Sequence, residues 1–288
     1  MTNTEFRTAA ESPGELPVGT FNLRRAPSSD VILLGAFVLL ILLILVFSWK
    51  TPYPTTTASG EPLEPPSTTH WAGTDAVGRD LFSRILVGAR LSLIAAAAVI
   101  AAGVVIGGSI GLVAGYAGGW PDGLLMRGTD LFLALPAPVL AIAVAGALGR
   151  SFTLTLVAVA VVWWPLYARI VRGEIRAISA RPHMEAARLA GGGRRKLLFR
   201  HLLPGTFAPV LVAASLDVGL MILTLAGLSF LGLGSPEPFP ELGAMTSQNL
   251  SYLLTKWWIP VLPAAMIFVL AYLSNLAGDA LRDVLQDS

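Results

Sequence analysis

Any chemistry in this chain has to be built from few residues. The three histidines, His70, His183 and His201, stand far apart, no H-E-x-x-H pair occurs, and there is no cysteine. Neither a histidine-based zinc site nor a thiolate site is expected. The run Gly191-Gly192-Gly193-Arg194-Arg195-Lys196 lacks the Ser or Thr that follows the lysine of a phosphate-binding loop, and it follows no strand. It should therefore not hold ATP in that manner, and no cofactor is expected on the chain itself. Asp217 is the one clear acid inside a long apolar run. Such a carboxylate is costly in lipid and ordinarily faces a cavity or a partner. The sequence leaves open whether it faces a translocation path or sits near the cytoplasmic end of its helix. It has no evident intramembrane partner of the kind that enzyme chemistry in a membrane needs.

One stretch has the makings of a mechanical device. Glu185-Ala186-Ala187-Arg188-Leu189-Ala190 is followed by the three glycines, then by Arg194 to Leu203 and Pro204. The pattern predicts a short helix, a glycine break with backbone angles closed to other residues, and a second short helix stopped by proline. Ala186 and Ala187 offer a smooth surface that another protein can approach closely. Leu197, Leu198, Leu202 and Leu203 give the second helix an apolar side. A basic loop that only enforces topology is the plain alternative, but a connection of about 35 residues with helices of its own is long for that role.

The elements that position this stretch follow from composition. Hydrophobic residues make up 54% of the 288 and charged residues 13%, against about 25% charged in a soluble domain, and the mean hydropathy is +0.69. Lipid is the expected solvent, and an all-α polytopic fold the expected class. Six segments can span: 31–49, 90–115, 130–149, 152–171, 207–232 and 258–278. The chain divides into an N-terminal tail (1–30), a first transmembrane helix (31–49, retained rather than cleaved), an external loop (50–88) and a core (89–288) that carries the connecting loop 172–206. The prolines of 51–69 and of 235–240 forbid helix there and mark external loops. With six spans, fourteen of the 20 Lys and Arg residues fall on one side, nine of them between Arg169 and Arg200. That bias puts both termini in the cytoplasm.

Within the spans, Gly103, Gly107, Gly111 and Gly115 recur every four residues and form a flat stripe for close helix packing. Trp163 and Trp164 join Asp217 as candidates for the pathway lining, whereas Trp257 and Trp258 read as interfacial anchors. Asp130, near a helix start, is favoured there by the helix dipole and within reach of Arg127. Pro136 predicts a kink.

The segment from Glu185 to Pro204 resembles the EAA motif of ABC importer permeases, with Glu-Ala-Ala, a glycine four residues after the second alanine, and Leu-Pro thirteen beyond that glycine; His201 departs from the usual aliphatic residue. Gly73-Thr74-Asp75, Gly78-Arg79-Asp80, Gly88-Ala89-Arg90-Leu91-Ser92-Leu93, Gly115-Tyr116-Ala117-Gly118-Gly119 and Leu228-Ser229-Phe230-Leu231-Gly232-Leu233-Gly234 extend the resemblance to the C-type subunits of dipeptide and oligopeptide permeases. It covers nearly everything from His70 onward. The resemblance implies a type I importer (MetI-like) fold and a coupling role for Glu185, Ala186, Ala187, Gly191, Arg194, Leu203 and Pro204. It also implies a B-type permease as heterodimer partner, two ATPase subunits (or one fused) that hold ATP and Mg, and an external substrate-binding protein. The 70–93 signature would then either contact that binding protein or simply cap the second helix.

Two other classes compete. A secondary transporter needs charged or broken helices at the midplane, and usually an internal repeat; neither is evident. A scaffold would leave the 183–204 stretch without a task. Nucleic acid is not an expected partner at a net charge of +2. Lipid is. Related permeases carry dipeptides, oligopeptides, haem or metals, and this chain does not disclose which.

Overall fold

In lipid a chain has to satisfy its own backbone. In the computed structural model, which describes residues 28–149, 151–189 and 193–286, it does so with α-helices throughout. They are α1 (Ser28–Phe47), α2 (Leu81–Ala117), α3 (Gly119–Leu133), α4 (Ala137–Leu148), α5 (Phe152–Ser179), α6 (Pro182–Leu189), α7 (Arg194–Leu197), α8 (Leu203–Leu228), α9 (Leu242–Gln248) and α10 (Trp258–Gln286). Five helical runs are long and apolar enough to cross a membrane, and a sixth arises if the bent pair α3–α4 is one span.

That pair takes the place of the expected 130–149 span, and the kink expected at Pro136 is a full break. Helix already begins at Gly119, and the chain turns by 86° between α3 and α4. Pro136 explains the break: it has no N–H to donate, and it restricts Leu135 before it. The stretch 116–129, which lies between two of the expected spans, is thus mostly helix. α2 likewise starts at Leu81 rather than Arg90. Asp80 caps it by accepting from the Ser83 N–H at 2.8 Å. Arg84 is only 3% exposed because Nη1 donates to the carbonyls of Thr55 (2.6 Å) and Pro238 (3.0 Å). Asp75 faces the same guanidinium, 3.6 Å from its Nε.

The same signature folds the 48–80 segment. Asp75 accepts from the N–H groups of Val77 and Arg79 and from Arg79 Nε at 2.6 Å, and His70 Nδ1 lies 2.8 Å from Asp80 Oδ1. Arg79 reaches on to Glu237. Of the two roles left open for this signature, the helix cap is thus filled by Asp80.

α2 and α5 share the largest interface, with α8 and α10 packed beside them. The glycine stripe is why the axes come so close. A Cβ at Gly103 would meet the Tyr167 ring at 3.2 Å, and one at Gly115 would lie 2.9 Å from Ile175. At Gly107 and Gly111 it would strike the backbone carbonyls of Trp164 and Ala168. α1 is apolar all round and packs mainly on α10. It leaves Ile32, Val38, Leu42 and Val46 exposed, as a peripheral lipid-facing helix should. Trp257 is exposed, while Trp258 is buried with Lys256 Nζ 5.4 Å from its ring centre.

Candidate functional site

The connector between α5 and α8 is built around a small apolar core separate from the main one. Val171, Ile175 and Ile178 of α5, Met184 of α6, Leu197 of α7 and Leu202 pack together, with Leu112 and Tyr116 of α2 against them. α5 ends as the N–H of Ala180 returns to Arg176 and that of Arg181 to Ile178. Pro182 then opens α6, at the position where its missing N–H is not needed.

Met184 seats α6 on this core, with Ala187 packed beside it. Met184 is fully buried, whereas Glu185, Ala186 and Leu189 are exposed and Ala187 is half-buried. Leu189 is 85% exposed, next to small alanines and a carboxylate, so α6 presents an outer face that nothing in this chain covers among the described residues. Gly191 lies outside the described residues, and only the backbone of Arg194 is described. Gly193 is exposed, and a Cβ there would meet open space.

The second half of the connector differs from expectation. Pro204 does not stop a short helix. α7 passes through a π-helical turn, Leu198–Leu202, straight into α8. The N–H of Leu203 reaches back to the Leu198 carbonyl, five residues away. This wider turn precedes Pro204, whose ring would otherwise press on the carbonyl four residues before it. Leu203 and Pro204 are exposed on the first turn of α8, while Gly205 lets that turn lie against Ile178. The connector therefore follows α5 after a short turn, runs without a break into α8, and is held together by the six buried side chains.

α3 joins this assembly through charge. Arg172 donates from Nε to Asp122 Oδ1 (2.5 Å) and from Nη2 to Asp122 Oδ2 (2.8 Å), and Arg176 also donates to Oδ2. Asp130 pairs with Arg169 at 2.6 Å, not with the nearby Arg127. Sequence reasoning missed these partners. The signal available to it is the spacing 169, 172, 176, which puts three arginines on one face of α5.

Asp217 is also not alone. It is buried in α8 and accepts from Trp163 Nε1 (3.0 Å) and Tyr167 Oη (2.7 Å), both on α5. These partners are neutral donors, not a second carboxylate, so the group is anchored within the bundle. Trp163 is buried with it. Trp164 is half-buried and stands edge-on to Phe132 of α3, ring centres 5.3 Å apart.

Residues 107–288 match the family model described as binding-protein-dependent transport system inner membrane component. The chain is 40% identical over 253 residues to the probable D,D-dipeptide transport system permease protein of Escherichia coli, covering 87% of this chain and 85% of that one. It is 42% identical over 222 residues to the glutathione transport system permease protein of Pectobacterium atrosepticum, covering 77% and 74%. The dipeptide transport system permease protein of Alkalihalophilus pseudofirmus is 37% identical over 255 residues, covering 88% and 83%.

Proposed function

The chain belongs to the inner membrane components of binding-protein-dependent transport systems, the permeases of ABC importers, and on that premise we propose that it forms one half of the pathway for a short peptide. The relatives at about 40% identity are named for D,D-dipeptides, dipeptides and glutathione, all short chains of amide-linked residues, and that shared chemistry supports the substrate class.

The other half of the pathway is a second, B-type permease. Two ATPase subunits, or one fused, bind and hydrolyse ATP with Mg. An external binding protein delivers the substrate. Both termini face the cytoplasm, so the α5–α8 connector meets the ATPases, while 48–80 and 234–257 meet the outside. In this reading ATP binding closes the ATPases around α6. The connector moves with them, and α5 and α8 turn against the paired permease to open the cavity outward. Of the residues expected along the path, half-buried Trp164 is retained as a lining residue, whereas Asp217 and Trp163 act as interior anchors.

The observation that carries this reading is the outer face of α6: Glu185, Ala186 and Leu189 stand exposed on a helix whose opposite side is fixed by Met184. The chain has no cysteine, so Ala186→Cys introduces a unique thiol. In the reconstituted complex it should cross-link to a cysteine placed on the ATPase cleft, with a yield that changes with nucleotide. Uptake of a labelled dipeptide in proteoliposomes should require ATP. Uptake driven by an ion gradient alone would overturn the proposal.

A further inference from the structure

Resting on the permease reading, we propose that Asp122 is a positioning residue that clamps α3 to the cytoplasmic half of α5, so that movement of the connector reaches the bent α3–α4 segment. Three observations meet here. Asp122 has a side chain only 7% exposed, and both of its oxygens are used: Arg172 holds it through two bonds and Arg176 through a third. A buried carboxylate held by a two-pronged guanidinium is directional, and loses its alignment when either partner loses its planar fork. A second rung, Asp130 with Arg169, continues the contact along α3, but it is over half exposed on both sides. It therefore adds little strength. The clamp is the Asp122 rung.

The second observation is what α5 is attached to. Ile175 and Ile178, on the same last turns as Arg172 and Arg176, pack with Met184 of α6. A displacement of α6 thus moves the part of α5 that grips Asp122. The third is the geometry beyond the clamp. α3 ends at Leu133, and α4 leaves at 86° after the Ala134–Pro136 break. A helix gripped by α5 and joined to its successor by a sharp break carries a shift of α5 to the point where the chain changes direction. Further along α3, Thr129 is fully buried and Phe132 stands against Trp164 of α5, while Trp120, Leu124 and Leu131 are exposed, so Asp122 is the buried charged hold of α3 on α5 among the described residues.

A merely structural Asp122 would change the amount of folded complex, or all activities in proportion. A positioning Asp122 changes how much transport each hydrolysed ATP yields. The test uses the complete reconstituted complex, with the paired permease, ATPases and binding protein, measuring ATP hydrolysis and labelled dipeptide uptake together. Asp122→Asn should keep hydrolysis while uptake per ATP falls roughly tenfold, and Asp122→Glu should restore most of it. Should Asp122→Asn not assemble, Arg172→Lys is measured instead. It keeps the charge but loses the fork, and the same fall in uptake per ATP is expected. An unchanged ratio in the assembled variant, or parallel loss of both activities, overturns the clamp. If the wild-type complex itself lacks ATP-dependent uptake, it is the permease reading that fails, a separate outcome.

Discussion

Asp217 of α8 accepts a 2.7 Å hydrogen bond from the phenol of Tyr167 on α5, and Tyr167 in turn lays its ring against Gly103 of α2. One buried polar contact thereby ties three long helices together. The Trp163 indole adds a second donor at 3.0 Å. Asp217→Asn keeps an acceptor oxygen and should cost little. Asp217→Leu leaves two buried donors without a partner and should lower stability by about 1–2 kcal/mol, near the upper end for polar contacts in membrane helices. Thermal unfolding of the detergent-solubilised complex distinguishes the two. Equal losses would mean that the carboxylate charge, not its acceptor role, matters.

The glycine stripe makes a sharper prediction. At Gly107 and Gly111 an added Cβ would strike α5 backbone carbonyls, which cannot rotate away. Gly107→Val and Gly111→Val should each destabilise by about 1–3 kcal/mol or more and reduce the amount of folded protein in membranes. Gly123 of α3 has nothing within 4 Å of its would-be Cβ. There, Ala should be neutral, or stabilising by up to about 1 kcal/mol, because glycine is a poor helix former. Expression and melting temperature of the two classes should separate cleanly.

Spacing within one helix was legible in the sequence, whereas pairing across helices was not. Gly103 to Gly115 repeat on one face, so their stripe could be read without knowing that α5 covers it. Asp130 has Arg127 within a turn in sequence, yet it pairs with Arg169 across the α3–α5 contact, which no local pattern announces. Pro136 marked a kink, but an 86° break depends on what the two arms pack against. α2 begins at Leu81, before the expected Arg90, and takes Arg84 inside: its Nη1 donates to the carbonyls of Thr55 and Pro238, the latter 154 residues away, and Asp75 lies 3.6 Å from its Nε. In the connector, the alanines and Glu185 were visible as a motif. Met184, which seats the helix, looked like any apolar residue.

The two sides of α6 should respond differently to substitution. Glu185 is exposed, so Glu185→Lys should leave membrane insertion and melting temperature unchanged while cutting uptake roughly tenfold, the range expected for loss of a charged contact at a subunit interface. Met184 is fully buried. Met184→Ala should lower stability by about 2–3 kcal/mol through the cavity it leaves, and should loosen the grip of α6 on α5. Co-purification of the ATPase subunits, measured beside melting temperature, tells a lost contact from a lost seat. If Glu185→Lys melted early, its exposed position would be contradicted.

Glu241 offers a dependence on pH outside the spans. It stands at the start of α9 only 3% exposed, and its Oε2 accepts from the Ser235 N–H at 3.3 Å. Burial pushes its carboxyl above the usual 4.5, because removal from water penalises the charged form. The folded state therefore binds a proton more tightly than the unfolded chain. In the window that opens at the unfolded value and closes at the raised folded one, rising pH removes stability; beyond it the cost of the buried charge is constant. Glu241→Gln deletes that charge and keeps an oxygen for Ser235. The variant should melt above wild type at neutral pH, with the gap narrowing as pH falls towards the usual carboxylate value. Melting curves of both proteins between about pH 5 and 8 measure this directly. A gap that widened with acid would show that the ionised form is the stabilising one.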